Sequence, residues 1–273
     1  MKIRSSVLRR WLPAPALACA LALCFAYLTP ANKLWSASAQ VTSPNGSYGI
    51  LLNQWKDPNS NNVSALLGVV NFDGAGNISG SYTIVSKNPV MTGTLTGTYA
   101  GNPDGSNSAN LTFDIGATMA ASVAVTDGGT GLQLIVNGGS LTKPGQVISG
   151  TGRIQSAQGT SPAGSYGYLL NQWPDANNGP SAIFGVFNLD GAGNITGSYT
   201  IVGSAGPNPL SGSLTGTYTV NPDGTGSTSV SLDVGVSVKQ AIVVVDGGSG
   251  IQMLQTSTTG GGNVVISGTA RMQ

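Results

Sequence analysis

Ten aspartates make up the whole acid complement of this 273-residue chain, which has no glutamate and no histidine. Six of them stand directly before glycine: Asp73, Asp104, Asp127, Asp190, Asp223 and Asp246. Two chemistries use such a pairing. A calcium loop uses aspartate oxygens with a glycine at the sharp turn, but calcium takes about six to eight oxygens, usually from several carboxylates, and each loop here offers one. A tight hairpin uses Asp-Gly because glycine takes positive φ without steric cost and the aspartate bonds to its own turn. The hairpin is the reading adopted, and no metal or cofactor is expected. The "GAGNISG" stretch lacks the spacing of a dinucleotide loop and leads into a strand, not a helix, which removes the nucleotide reading.

Asp114 and Asp233 differ from the six. They stand at matching places in "LTFDIG" and "VSLDVG", in line with Thr112 and Ser231 along what reads as a strand. A solvated outer-face carboxylate is the plain reading. A reversal of register near Gly116 would instead turn each one inward as an isolated acid, so they are the only candidate catalytic residues. A second candidate set is aromatic. "LLNQW" occurs twice and sets Gln54 and Trp55, and again Gln172 and Trp173, at the end of a strand that carries Tyr48 or Tyr166. Trp and Tyr join a large contact area to a polar handle, so these six form the candidate ligand-binding set; a tryptophan plugging a barrel end is the alternative.

These residues recur because nearly the whole chain is written twice. "DGAGNISGSYTIV" from Asp73 returns as "DGAGNITGSYTIV" from Asp190, and "AQVTSPNGSYGILLNQW" from Ala39 as "AQGTSPAGSYGYLLNQW" from Ala157. "VISGTGRIQ" closes the first copy and "VISGTARMQ" the second. A period above a hundred residues is a domain, not a solenoid unit. The copies are read as domains at 40–156 and 157–273, each expected to fold on its own.

Residues 1–39 read as a signal peptide: a basic start (Lys2, Arg4, Arg9, Arg10), the apolar run Trp11 to Leu28, and Ala37-Ser38-Ala39 before Gln40. A retained anchor is the alternative. Cleavage would remove both cysteines, Cys19 and Cys24, and five of the eleven cations, leaving six against ten aspartates and a net charge of −4. Such a chain has no stable membrane insertion, would be secreted or periplasmic, and has no basic surface for nucleic acid. Without His, Cys or Glu it has no Ser/His/Asp, Cys/His or zinc chemistry.

Charged residues are only 8% of the chain against 40% hydrophobic, and short Val-, Ile-, Thr- and Tyr-rich segments alternate with Gly-rich turns. That pattern predicts antiparallel hairpins, eight strands per copy: Ser47–Gln54, Ser64–Phe72, Asn77–Val85, Met91–Ala100, Ser108–Gly116, Met119–Thr126, Gly131–Asn137 and Val147–Gln155. In the third, Gly80 shares a face with Ile78, Tyr82 and Ile84; in the fourth, Gly93 and Gly97 share one with Leu95 and Tyr99. Glycine on the apolar face of a strand marks a bend or a close approach, and a small closed barrel needs both. The fold expected is all-β, two tandem eight-stranded antiparallel barrels, with two β-sandwiches as the alternative.

The ordered series of a "GSY" opening, "DGAGNITG", "GTYTVNPDGTG", "VVDGG" and a closing "SGTAR" resembles secreted bacterial proteins with allene-oxide-cyclase-like barrels. The first copy departs from it after "NPDG", reading "SNSAN". The resemblance implies an eight-stranded barrel. Two functions stay open: a non-enzymatic structural or binding module of the cell envelope, which would meet a cell-surface component, or a barrel holding a small apolar ligand, as an isomerase or cyclase would. Barrels plugged by Tyr82, Tyr99 and Trp55 would favour the first, and a cavity containing Asp114 or Asp233 the second.

Overall fold

In a computed structural model, the structure describes residues 43–56, 63–86, 90–142, 146–155, 161–172, 179–203, 209–259 and 264–273. Residues 1–42, which include the signal peptide expected at 1–39, Trp173 and residues 156–160 lie outside them, as does the side chain of Trp55.

Sixteen strands form two closed antiparallel barrels. The first contains β1 (Gly46–Lys56), β2 (Ser64–Phe72), β3 (Asn77–Val85), β4 (Met91–Gly101), β5 (Asn107–Phe113), β6 (Thr118–Thr126), β7 (Gly131–Gly138) and β8 (Gln146–Ile154), and β8 returns to pair with β1. The second repeats the plan with β9 (Ala163–Gln172), β10 (Ser181–Asp190), β11 (Asn194–Gly203), β12 (Leu210–Val220), β13 (Thr225–Leu232), β14 (Ser237–Val245), β15 (Gly250–Thr258) and β16 (Ile266–Met272), closed by β16 against β9. Within each barrel every strand pairs with its sequence neighbours, as short hairpin turns dictate. Both sheets close, so the sandwich alternative is set aside.

The turn aspartates act as the hairpin reading requires. Asp73 accepts the backbone N–H of Ala75 (2.7 Å) and Asn77 (2.9 Å) and the Asn77 amide (2.6 Å). Asp190 repeats the set with Ala192 and Asn194. These bonds favour the ionised carboxylate and hold both groups below the ordinary aspartate range. Asp127 and Asp246, in the "DGG" turns, themselves take positive φ. Most strand limits lie within two residues of expectation, and one departs further. The fifth strand stops at Phe113, because Gly116 takes a φ of 80° and turns Asp114–Gly116 out of the ladder.

Inside the first barrel, Ile78, Tyr82, Leu95, Tyr99, Leu111 and Phe113 belong to one buried cluster. Gly80 and Gly97 lie between them, but as more than spacers. A Cβ on Gly80 would collide with the Val69 carbonyl oxygen, and one on Gly97 with that of Asn110. The sheet coils so tightly that the neighbouring strand's backbone occupies the place of the side chain.

The barrels pack side by side. Leu51, Ala65, Leu67, Val69 and Val85, on the outer face of β1–β3, meet Val243, Val245, Leu254 and Val265 of the second copy in a separate buried cluster. Gly49 permits the approach: a Cβ there would sit 2.5 and 2.6 Å from Val245 and Val243 methyls. The Ser267 hydroxyl donates to Asn53 (2.6 Å) across the seam, and Arg153 reaches both Asp127 of its own turn and Asp246 of the other copy.

Gly80→Val and Gly97→Val should each destabilise by about 3 kcal/mol or more, because backbone has to move as well as side chains. Thr96→Val, on the exposed face of β4, should change stability by about 0.5 kcal/mol. Denaturant midpoints for the three variants decide; β-propensity alone predicts stabilisation at all three sites.

Candidate functional site

Position-by-position comparison of the two barrels separates their interiors. In the first, rings fill both ends. Tyr48 packs edge-on to Phe72 (5.8 Å between centroids), Phe72 on Tyr99 (5.1 Å), and at the other end Tyr82 on Phe113 (4.9 Å). In the second, Leu189 stands for Phe72 and Leu232 for Phe113, while Val230 and Val238 replace Leu111 and Met119. Bulk moves towards the middle, where Tyr168 and Phe187 (5.3 Å) replace Ile50 and Val70. Three apolar positions become polar: Ala109, Ala121 and Val136 are matched by Thr228, Gln240 and Gln255.

The result is a cavity of about 70 Å³ running along the interior of the second barrel. Its wall is mostly aliphatic, from Leu189 and Ile195 near one end to Leu232 and Val238 at the other. Gln240 and Gln255 face each other across β14 and β15, and the Thr228 hydroxyl donates to the Gln240 carbonyl at 2.9 Å. The Tyr168 hydroxyl enters the same space and donates to the Ser198 carbonyl at 3.2 Å. Gly185 makes room for it, since a Cβ there would come within 2.9 Å of that oxygen. Burial pushes Tyr168 up to about 12, so it stays a neutral donor at any ordinary pH. An apolar wall with a few convergent polar groups is the usual character of a small-molecule site.

Asp114 and Asp233 lie elsewhere. Each carboxylate folds from its turn over the rim of the barrel, into the space left by Gly93 or Gly212. Asp114 accepts the Thr94 backbone N–H (2.7 Å) and the Tyr82 hydroxyl (2.8 Å), and Asp233 accepts those of Ser213 (2.7 Å) and Tyr199 (2.8 Å). The backbone N–H, then the tyrosine, hold both acids below the usual carboxylate range. Burial, then the aspartate, pushes Tyr82 up to about 12 and raises Tyr199. These are anchors for the rim tyrosines, poorly suited to proton transfer because both donors stabilise the ionised acid. Neither acid lines the cavity.

The aromatic set is dispersed. Tyr48 and Tyr166 are core residues whose hydroxyls donate to the carbonyls of Gly129 and Gly248 in the "DGG" turns. Gln54 accepts from Ser64, and Gln172 accepts from Ser181 (2.8 Å) and donates to the Gly179 carbonyl (3.2 Å). Gln54 also lines a cavity of about 50 Å³ at its end of the first barrel, with Leu52, Leu66 and Met119. Trp55 and Trp173 carry no side-chain description. The residues that sequence reading missed are Thr228, Gln240 and Gln255. Their signal was present: polar residues at inward positions that are apolar in the other copy.

Among the described residues, no group of three or more metal-ligating side chains comes together, and no helix is long and apolar enough to cross a membrane. No family model and no curated protein matches the chain. Several solved structures are similar to it at low scores, two of which follow. One is the isotype 1 transferrin binding protein B of serogroup B Neisseria meningitidis, at 8% identity over 84% of this chain and 77% of that one, TM-score 0.33. The other is a protein of unknown function from the DUF3598 family of Nostoc punctiforme, at 10% identity over 84% and 96%, TM-score 0.30. Scores of this size carry no function across.

The rim pairs make stability depend on pH. The folded pKa of each acid is depressed, so its contribution is complete above the ordinary carboxylate pKa and is lost as pH falls through the folded value. An Asp114→Asn, Asp233→Asn double variant should be less stable than the parent at neutral pH. The gap should close between about pH 5 and pH 2. Thermal midpoints across that range test it, and a gap independent of pH would show that the carboxylate charge is irrelevant.

Proposed function

We propose that this is an exported binding protein in which the second barrel holds a small, slender and mostly apolar molecule with one hydrogen-bonding end. The observation that carries the reading is the contrast between the two interiors. The copies share their turns and rim anchors, and the first has a cavity of about 50 Å³ near Gln54, but the cavity of the second carries Thr228, Gln240 and Gln255 at positions that are apolar in the first. Selection for packing alone has no use for three polar groups in such a place, because each costs desolvation unless bonded. The aliphatic wall supplies affinity, and the two carboxamides and Tyr168 orient the polar end. Binding, not catalysis, fits the lining, which contains no carboxylate and no cation. The cyclase-like reading loses its acid for the same reason.

The remaining parts of the proposal rest on sequence. Residues 1–39 serve as the export signal, 40–156 and 157–273 are the two domains, and their ordered motifs resemble those of the allene-oxide-cyclase-like barrels of secreted bacterial proteins. The first barrel, with rings packed at both ends, then has a structural role and presents the surface on which the second is seated. A membrane-retained chain would differ in mass. Export followed by intact-mass measurement should find a chain beginning at Gln40, whereas a mass that includes the leader would make it an anchor.

Straight-chain alcohols are suitable probes of the cavity. Thermal midpoints should rise with alcohol concentration, since a ligand that binds only the folded state stabilises it. The rise should grow with chain length until the cavity is full and then fall. Leu232→Phe, which restores the residue of the first barrel, should abolish the effect while leaving the fold intact. Equal responses in parent and variant would remove the cavity as the binding site.

A further inference from the structure

The contact between the barrels is heterologous, the front of one repeat (β1–β3) against the back of the other (β14 and β15). Since the repeats are alike, each chain also carries the two unused counterparts. The front of the second copy keeps its apolar character without a cover. Leu169, Phe184 and Val202 are 50%, 52% and 50% exposed, whereas Leu51, Leu67 and Val85 at the matching places are 5%, 2% and 5%. The back of the first copy carries Ile135 and Val147, 51% and 53% exposed, where Leu254 and Val265 are buried in the seam. We propose that the chain associates head to tail, the front of the second barrel docking on the back of the first barrel of another copy in the manner of the internal seam.

Four details point to a second copy as the occupant. Gly49 is a glycine because Val243 and Val245 leave its Cβ no space, but its counterpart Gly167 has nothing closer than a Gln273 side-chain nitrogen at 3.7 Å. Within the chain a side chain would fit at Gly167, yet the position keeps the glycine that the internal seam requires at Gly49. The bond from Ser267 to Asn53 has its counterparts in Ser149 and Asn171. Arg153 bonds its own Asp127 and also crosses to Asp246. Among the described residues its counterpart Arg271 bonds its own Asp246 alone, and Asp127, the acid it would meet on another copy, is largely exposed. Finally, Ala124 is smaller than its counterpart Val243, while Phe184 is larger than Leu67, so the two changes offset one another in volume.

The back face is the weaker half. Thr126 and Ser122 stand where the seam has Val245 and Ala241, so the contact should dissociate on dilution. A heterologous contact does not close at two copies; it continues into a ring or an open chain.

Sedimentation velocity on protein from cells expressing the full chain, from low micromolar to submillimolar concentration, should show mass rising with concentration. Phe184→Asp and Ile135→Asp, both at outward exposed positions, should each leave only monomer, with unchanged circular dichroism. Leu169→Asp repeats the first test on the same face should Phe184→Asp fold poorly. Mixing the two variants is the deciding arm, because each retains the face that the other lost. The mixture should stop at a dimer with one copy of each. Three results overturn the proposal: monomer at every concentration for the parent, loss of association by Phe184→Asp but not by Ile135→Asp, which means front-to-front pairing, or a mixture that stays monomeric.

Discussion

Backbone approach between adjacent strands is the constraint on which this molecule depends. Eight short strands close on themselves only if the sheet coils hard, and at Gly80 and Gly97 the neighbouring carbonyl comes where a Cβ would be. Closure then removes every free edge, which matters for a chain with so few charges to discourage edge-to-edge pairing. It also creates a fixed interior. Once the walls are set, the inward residues have only to decide how much of that volume is filled.

The two copies decide it differently. The first sets two groups of edge-to-face rings at its two ends, with aliphatic side chains between them and a cavity of about 50 Å³ near Gln54. The second moves its aromatic bulk to the middle, shortens Phe113, Leu111 and Met119 to Leu232, Val230 and Val238, and admits three polar groups. The rim bonds of Tyr82 to Asp114 and Tyr199 to Asp233 are the same in both, so the anchoring of the rim does not depend on how the interior is filled. A duplicated barrel can thus keep one copy as a scaffold and let the interior of the other change. The front face of the first copy is covered by the back of the second, so the contact shields apolar surface that each barrel would otherwise expose.

Sequence alone determined the architecture, and for definite reasons. Side-chain alternation with period two marks inward and outward faces, Asp-Gly marks the hairpins, and two matching copies make every assignment twice. Strand limits agree within a few residues, the exception being the fifth, where Asp114 was read into the strand and the positive φ at Gly116 ends it. The character of the turn aspartates was legible too, since their bonds run to groups only two to four residues away.

Tertiary structure decided what the local pattern cannot carry. Tyr48 and Tyr166 look like surface anchors beside "LLNQW", but the barrel turns them inward to turns 81 and 82 residues away. Asp114 reaches a tyrosine 32 residues back because closure brings β3, β4 and the β5–β6 turn to one rim. The cavity is likewise a sum over eight strands: no single segment shows whether the residues projecting inward from all of them fill the space. The seam between the copies is the same kind of fact. Leu51 and Leu169 occupy equivalent places in nearly identical strands, and only the packing of one barrel on the other buries the first and leaves the second in solvent.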